Sequence, residues 1–275
     1  MKYWLKNQKK LIKNNWKGIL IKVILLILGV IVSSFGLALY QQPAVGGSQI
    51  DWFIYNALSL VEPFSKDGSV RGEVLNKFYP TSLTLVYIIL IIFAIGFSIK
   101  PTMEEYKKLK SKIIWFSFLF VVIADIAITF IVPQIVGLFL RSLSELNIKN
   151  TDPNNLAIRN LALIGGFLAF VIGIALWVKS GLLLGPFNNI CTQFIRLTKM
   201  NYAMGRLLID ISILILGFIL FPFIIGEEGS NKTNFLLTNF GLGTICFTFL
   251  VGPIVNTQLN ILNKFIDYEK LSNKK

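Results

Sequence analysis

The sequence contains no histidine, only two cysteines and few charged residues for its length. Charged residues make up 15% of the 275 positions, whereas a soluble domain carries about 25%. Without histidine, the chain lacks the commonest metal ligand and the commonest general base near neutral pH. Cys191 and Cys246 fall in or beside apolar segments, so we do not expect a disulfide framework. We therefore expect no metal, no cofactor and no enzymatic activity.

Long apolar runs dominate the chain, and 54% of its residues are hydrophobic. A membrane-spanning helix needs about 20 apolar residues. Two shorter pieces of about 12 residues, Ile50–Val61 and Pro186–Leu197, are typical of re-entrant or interfacial helices. The sequence predicts an all-α polytopic membrane protein with six crossings at about Gly18–Tyr40, Thr81–Ile99, Ile113–Val132, Leu161–Val178, Leu207–Ile225 and Leu236–Leu259.

The positive charges, which give a net charge of +13, cluster beside the apolar runs. Lysine and arginine concentrate in residues 1–17, 100–112, 179–206 and 264–275. With six crossings, these segments all fall on one side, which the positive-inside rule assigns to the cytoplasm. We expect a plasma-membrane protein with both termini cytoplasmic, in contact with an anionic leaflet. This distribution does not favour nucleic acid as a partner.

The basic leader, residues 1–17, mixes Trp4, Leu5, Leu11, Ile12 and Trp16 with lysines. It is either an amphipathic helix lying on the membrane surface or a topology anchor with interfacial tryptophans. The basic tail comprises residues 263–275.

An internal repeat relates the two halves, which we place at residues 18–145 and 155–262. The segment "GLALYQQPAVGGSQIDWF", beginning at Gly36, aligns with "GIALWVKSGLLLGPFNNIC", beginning at Gly173. Each half reads as a crossing, a break, a short helix and two further crossings. Because three crossings is an odd number, the second half must be inverted, as in secondary transporters whose sites lie at paired helix breaks.

Three motifs recur in a known pattern: a glycine-started membrane helix followed by a Gly-(Ser/Pro)-x-x-(Asp/Asn) break, "YAMGRLLIDISILILG" from Tyr202 and "GLGTICFTFLVGPIVN" from Gly241. On these motifs the chain resembles the YczE/YitT-type integral membrane proteins of bacteria. The resemblance spans most of the chain, although the insert Pro63–Tyr79 and the leader look longer than the family pattern. The resemblance implies a membrane protein of a type described as candidate transporters.

The first candidate site lies at the paired breaks. We expect Asp51 either to N-cap the short helix Trp52–Val61 or to bind a cation or proton at the repeat interface. The candidate substrate- or ion-binding residues are Asp51, Ser48, Asn188, Asn189 and Asp125. The counterparts of Asp51 are Asn188 or Asn189, amides that would cap equally well but cannot titrate.

Asp125 is the only charged residue in the third crossing. A carboxylate there costs at least about 2.5–3.5 kcal/mol unless it is paired or hydrated. No basic residue lies within a helical turn, so we expect a partner on another helix. The carboxyl is either an ion site or a structural interhelix bond.

Two further features lie in the last two crossings. Arg206 and Asp210 are spaced i, i+4 and would form either a plain ion pair at the cytoplasmic interface or a gate that opens for substrate. Gly252 and Pro253 would kink the sixth crossing or line a cavity. In the aligned repeat, Pro253 falls close to the position of Asp125, which predicts one shared interface.

Three functions compete. The first is a secondary transporter or permease of a small solute. The second is a membrane scaffold, an assembly factor or the binding subunit of a larger transport complex, docking through the leader or the insert. The third, an intramembrane enzyme, lacks a nucleophile with an evident base, and only a lipid-modifying activity of Asp51 and Asp125 stays open. The sequence does not predict an oligomeric state.

Overall fold

The computed structural model describes residues 2–43, 46–146, 148 and 156–266. Within them the chain is almost entirely helical. The elements are α1 Lys2–Gln41, α2 Gln49–Leu58, α3 Gly72–Leu109, α4 Ile113–Ser144, α5 Leu156–Ser180, α6 Gly185–Thr198, α7 Tyr202–Leu220 with a 3₁₀ turn Phe221–Phe223, α8 Lys232–Asn239 and α9 Leu242–Phe265.

Six helical segments of the described chain are long and apolar enough to cross a membrane. This confirms the prediction of an all-α polytopic membrane protein with two short helices, α2 and α6. Several helices are longer than predicted. The 38 residues of α3, at about 1.5 Å each, exceed a hydrocarbon core of about 30 Å. Apolar runs mark the part of a helix inside the bilayer, and not its ends.

The apolar run Leu236–Leu259 predicts one continuous helix for the sixth crossing, and this prediction is wrong. The crossing consists of α8 and α9, which are separated at Phe240–Gly241. The last carbonyls of α8 accept hydrogen bonds from the first break: Gly46 donates to Thr238 at 3.2 Å and Gly47 to Asn239 at 3.3 Å. The backbone N–H groups of Gly46 and Gly47 therefore satisfy carbonyls that the next turn of a continuous helix would otherwise have bonded.

The basic leader continues α1 without a break from Lys2. Whether the leader lies on the membrane surface or anchors the topology stays a prediction. Its side chains up to Asn15, and the tail from Asp267 onwards, lie outside the described part of the structure.

Helices α1 and α5 pack closely along their lengths in opposite directions. Gly29 lies against the backbone of Trp177, and Gly36 lies against the backbone of Phe170. As position numbers rise on α1, those of the facing residues on α5 fall, so the two helices are antiparallel. Small residues allow membrane helices to approach this closely. The first crossings of the two halves therefore run in opposite directions.

The remaining contacts repeat between the halves. The short helix α2 packs mainly on α7, and α6 packs mainly on α3. Likewise α4 packs on α1, and α9 packs on α5. Each half therefore places its short helix against the second crossing of the other half, as the predicted pair of inverted repeats requires. The limits 18–145 and 155–262 stay a prediction.

The polar insert is fastened to the second half of the chain by an arrangement we call the clasp, residues 59–71 with 224–239. Phe64 donates its backbone N–H to Ile225 at 3.0 Å and accepts one from Glu227 at 2.9 Å. Asn234 and Asn239 donate side-chain hydrogen bonds to the carbonyls of Lys66 and Gly68. The backbone polar groups of the insert are thus used largely within the protein.

Candidate functional site

At the first break, Ser48 is the N-cap of α2, and Asp51 lies three positions later. The Ser48 hydroxyl accepts the backbone N–H of Asp51 at 3.2 Å. The Asp51 carboxylate accepts the backbone N–H of Ser48 at 2.7 Å. This reciprocal arrangement is a capping box. The expectation that Asp51 itself is the N-cap is therefore wrong. Ser48, about one turn earlier, is the N-cap, because its hydroxyl accepts the third backbone N–H of the helix.

The Asp51 carboxylate is completely buried and fully hydrogen-bonded. Besides Ser48, it accepts hydrogen bonds from the Gln41 amide at 2.8 Å and from the Tyr79 hydroxyl at 2.5 Å. The Gln41 amide also donates to the Tyr79 oxygen at 2.7 Å. Burial raises the pKa of the Asp51 carboxyl above its usual value, and these hydrogen bonds oppose the rise.

At the second break, α6 starts at Gly185 with φ of +72°, a backbone conformation that suits glycine. Pro186 occupies the first turn. Neither asparagine caps this helix, so the expectation of two equivalent caps is wrong. The Asn188 amide donates to the Leu184 carbonyl at 3.1 Å, and Asn189 bonds a different helix. The two breaks match in position but differ in their chemistry.

The ion pair of Arg206 and Asp210 lies in the protein interior, with side chains 2% and 0% exposed. Arg206 Nε donates to Asp210 at 3.2 Å, and its Nη1 donates to the Asn188 amide oxygen at 3.1 Å. Gln49 donates to the other oxygen of Asp210 at 2.6 Å. The guanidinium carbon lies 4.1 Å from the ring centroid of Phe187. The pair therefore joins the first turns of both short helices and is not a plain surface pair.

A cavity of about 50 Å³ lies between the two breaks, and we call it the central cavity. Its polar lining includes Ser34, Ser48, Asp51, Asn188 and Arg206. Apolar side chains from α1, α3, α4, α5 and α9 form the rest of the wall, namely Leu37, Leu83, Val132, Val136, Ile174 and Phe247. This volume has room for about one or two water molecules. The two breaks thus converge on one partly polar cavity.

Asp125 lies outside this lining, in contact with α6. Its Oδ2 accepts a hydrogen bond from the Asn189 amide at 2.6 Å. The partner does come from another helix, as expected, but it is an amide and carries no charge. The structure therefore brings Asp125 together with Asn189, and Arg206 together with Asn188.

Gly252 and Pro253 lie away from Asp125. A side chain at Gly252 would meet Arg206 and the Ala203 carbonyl of α7, while Pro253 is exposed on the outer surface. The predicted interface shared by Pro253 and Asp125 is therefore not formed. Gly252 instead lies beside the Arg206 side chain, at a distance where an added Cβ would make ordinary van der Waals contact.

Sequence reasoning missed three site residues. Gln49 binds Asp210, and Gln41 and Tyr79 bind Asp51. The one available cue was a pair of glutamines, Gln41 and Gln42, at the end of an apolar membrane helix. Among the described residues, no group of histidine, cysteine, aspartate or glutamate side chains is placed to hold a metal ion.

Comparison with known sequences places this arrangement in a family. A sequence model described as a family of unknown function, DUF6198, matches residues 20–259. The chain belongs to the DUF6198 family. The match runs from α1 to α9 and so includes both breaks, both cavity-lining short helices and the buried ion pair. No curated protein and no solved structure shows a significant match. Membership in DUF6198 supports the fold and leaves the activity to be argued from the site.

Proposed function

We propose that this DUF6198 protein is a secondary transporter or permease of a small solute, which binds in the central cavity. One observation carries the proposal. The first turns of both short helices line one cavity, and the pair of Arg206 and Asp210 connects them. Paired helix breaks at the interface of inverted halves are where secondary transporters bind their substrates.

Alternating access of the two halves would move the solute. The clasp holds one end of the protein together, with a salt bridge between Arg71 and Glu227 at 2.5 Å. At the end carrying residues 100–113, a cavity of about 310 Å³ opens between α3, α4 and α6. This difference between the ends is what a transporter closed on one side has. In the other state, the clasp would open and the second cavity would close.

The lining of the central cavity favours a small organic solute with an apolar body and one polar end. Apolar and aromatic side chains form most of the wall. Asp51, Asn188 and Arg206 are among the polar residues that line it. Because the cavity holds only about 50 Å³, a solute larger than about two waters would have to enter a more open state.

The proposal extends to the cellular setting. The solute undergoes no chemical change, and energy comes from an ion gradient or from the solute itself, since the sequence has no phosphate-binding loop. The lysine-rich segments support a plasma-membrane location with cytoplasmic termini on an anionic leaflet. The resemblance to YczE/YitT-type proteins supports the same assignment.

The alternative is a scaffold or the binding subunit of a larger transport complex. That reading relied partly on the insert as a docking surface, but the clasp already uses much of the insert's backbone. Cross-linking in cells followed by purification would distinguish the two. A single stoichiometric protein partner would support the alternative.

The direct test is a ligand screen with purified full-length protein. A metabolite panel is screened for thermal stabilisation, and each stabilising compound is then assayed for uptake into proteoliposomes. We expect at least one compound to be both bound and transported. No stabilisation and no uptake across a broad panel would contradict the proposal.

A matched pair of serine variants then locates the site. Ser34 lines the central cavity, and its buried hydroxyl has no hydrogen-bond partner among the described residues. Ser212 is exposed and bonds its own helix. We expect Ser34→Ala to weaken ligand binding about two- to tenfold and Ser212→Ala to leave it unchanged. Equal effects of the two variants would place the ligand outside the central cavity.

A further inference from the structure

A second cavity, which we call the cleft, lies between α3, α4 and α6 and has a volume of about 310 Å³. Its outer end is at Glu105 and Ile113, beside the lysine-rich connection of α3 and α4. Its inner end reaches Asn189 and Val122. A volume of this size holds about ten waters at about 30 Å³ each.

Helix α4 lines both cavities, and Asp125 lies between the α4 residues that line the cleft and those that line the central cavity. Val121 and Val122 line the cleft, whereas Val132 and Val136 line the central cavity. Asp125 follows Val121 by one helical turn. Helix α6 is divided in the same way, because Asn188 lines the central cavity and Asn189 lines the cleft. The hydrogen bond between Asp125 and Asn189 thus lies between the cleft and the central cavity, a position we call the boundary.

One oxygen of the Asp125 carboxyl at this boundary has no hydrogen-bond partner among the described residues. The residue is 1% exposed. Its Oδ2 accepts from Asn189, and the backbone N–H of Gly185 also lies close to the carboxyl, while Oδ1 has no hydrogen-bond partner among the described residues. A buried carboxylate whose neighbouring donors are all neutral is costly, and taking up a proton removes that cost. Oδ1 is therefore the atom at which a proton would bind.

A line of polar side chains on α6 runs from Asp125 to the mouth of the cleft. Gln193 donates to the Asn189 amide oxygen at 2.9 Å, and Arg196 donates to the Gln193 amide oxygen at 2.8 Å. Arg196 also binds Glu105 of α3 at 2.7 Å. These side chains repeat every three to four residues and so lie on one face of α6. They give the cleft a polar wall along its whole length.

The charged groups around Asp125 come from three helices packed against α4. On α3 and α6, the ionisable groups lining the cleft are Glu105 and Arg196, which bind each other at its outer end. Cys191 of α6 is buried, and the charged side chains that act on it are Arg206 and Asp210. Helix α1 also packs beside α4 and carries Lys22, and an ammonium bound to Asp125 would keep its carboxyl ionised.

We propose that Asp125 is a proton-binding residue loaded from the lysine-rich side through the cleft, and that its proton couples to movement of α6. A water in the cleft delivers the proton, an O–H bond forms at Oδ1, and the carboxyl becomes neutral. Release reverses the step. The coupling part rests on the proposed transport function, while proton binding does not.

A proton fits this site better than a sodium ion. Sodium would need several oxygen ligands in place of its hydration shell. Asn189 approaches Asp125 with its amide nitrogen and not its oxygen, and among the described residues no group of three or more histidine, cysteine, aspartate or glutamate side chains is placed to hold a metal ion. Loss of the negative charge weakens the bond between Asn189 and Asp125, because hydrogen bonds to charged acceptors are about twice as strong as neutral ones. Protonation would therefore loosen α6 at the boundary.

Proton binding is tested with dicyclohexylcarbodiimide, a hydrophobic reagent that modifies protonated carboxyls. The full-length protein in proteoliposomes is treated across a pH series, and modified peptides are quantified by mass spectrometry. We expect modification of Asp125 that falls on the order of tenfold as the pH rises from acidic to alkaline. Asp51 and Asp210, whose carboxylate oxygens all accept hydrogen bonds, should stay unmodified and serve as internal controls.

Three outcomes would overturn the proton assignment. They are no modification of Asp125 at any pH, as expected if Lys22 held it ionised, modification that does not depend on pH, or protection by sodium at constant pH. Asp125→Asn should abolish the labelled peptide while retaining the folded protein, which size-exclusion chromatography checks.

The route is tested by thiol accessibility in a background with both cysteines replaced by alanine. Val121→Cys places a thiol in the cleft, and Phe120→Cys places one on the outer surface, where Phe120 is 63% exposed. We expect a membrane-impermeant thiosulfonate to modify the first at least tenfold faster than the second, and only from the lysine-rich side. Equal rates, or modification of the first only from the opposite side, would refute the route.

Combining the labelling, accessibility and uptake assays distinguishes failure of proton coupling by Asp125 from failure of the proposed transport function. If Asp125 binds protons through the cleft but no compound is ever transported, the transport proposal fails and proton binding stands. If a compound is transported and Asp125→Asn leaves its pH dependence unchanged, transport stands and coupling by Asp125 is refuted.

Discussion

The buried pair of Arg206 and Asp210 offers the sharpest test of the site's architecture. Replacing Arg206 by leucine removes its hydrogen bonds to Asp210 and Asn188. Asp210 then keeps only the amide of Gln49. Breaking a buried pair by removing one partner costs about 3–5 kcal/mol. We expect that loss in the free energy of unfolding for Arg206→Leu, and a similar loss for Asp210→Asn, which leaves the guanidinium without its counter-ion.

The double variant decides whether the loss comes from the pair. With both charges gone, no unpaired ion remains, so the double variant should be more stable than the sum of the single effects predicts, by as much as about 3 kcal/mol. Unfolding is measured in mixed micelles by titration with dodecyl sulfate and followed by circular dichroism. Additive single effects would refute the view that the two side chains act as one unit.

The salt bridge of the clasp is the matched control. Arg71 and Glu227 are 49% and 29% exposed, and exposed pairs contribute about 0–1 kcal/mol. The same cycle with Arg71→Leu and Glu227→Gln should give a coupling energy in that range. A coupling energy as large as that of the buried pair would show that burial does not determine the difference.

Other variants test the packing and capping, each by the same unfolding assay. Gly166→Ala should destabilise by about 1–3 kcal/mol because its Cβ would meet the backbone of Tyr40, whereas Gly165→Ala has open space and should be neutral or stabilise by up to about 1 kcal/mol; equal effects would contradict the close packing of α1 and α5. Ser48→Ala should cost about 0.5–2 kcal/mol through loss of the cap, and no loss would argue against the capping box. Tyr79→Phe should cost about 1–3 kcal/mol, since one donor to the buried Asp51 is removed; an unchanged stability would mean that this hydrogen bond contributes nothing.

The helices were predictable because their signals are local. A run of about 20 apolar residues marks a crossing whatever surrounds it, and the two short runs gave α2 and α6. The break between α8 and α9 was not predictable. Asn239 and Gly241 lie at the break, but polar residues and glycines also occur elsewhere in the run from Leu236 to Leu259, where the helix continues. The break also depends on Gly46 and Gly47, which are distant in sequence.

The site was predictable only in part. The i, i+4 spacing identified the pair of Arg206 and Asp210, but its burial depends on how α2 and α6 pack around it. The functional roles of Asp51 and Asp125 stay predictions, although the structure gives their partners. Gln49 and Tyr79 were missed because a single polar residue near a helix end has no periodic pattern that would single it out.

The clasp has a consequence for how the chain is made. Its side-chain hydrogen bonds join positions 156 to 171 residues apart, and the aromatic rings around Trp52 come from Phe218, Phe221, Phe235 and Phe240. During synthesis, α2 therefore lacks these neighbours until the chain has been made as far as Phe240. Forming long-range contacts of this kind is slow. The end of the molecule that the clasp closes can consequently form only after α7 and α8 have been synthesised.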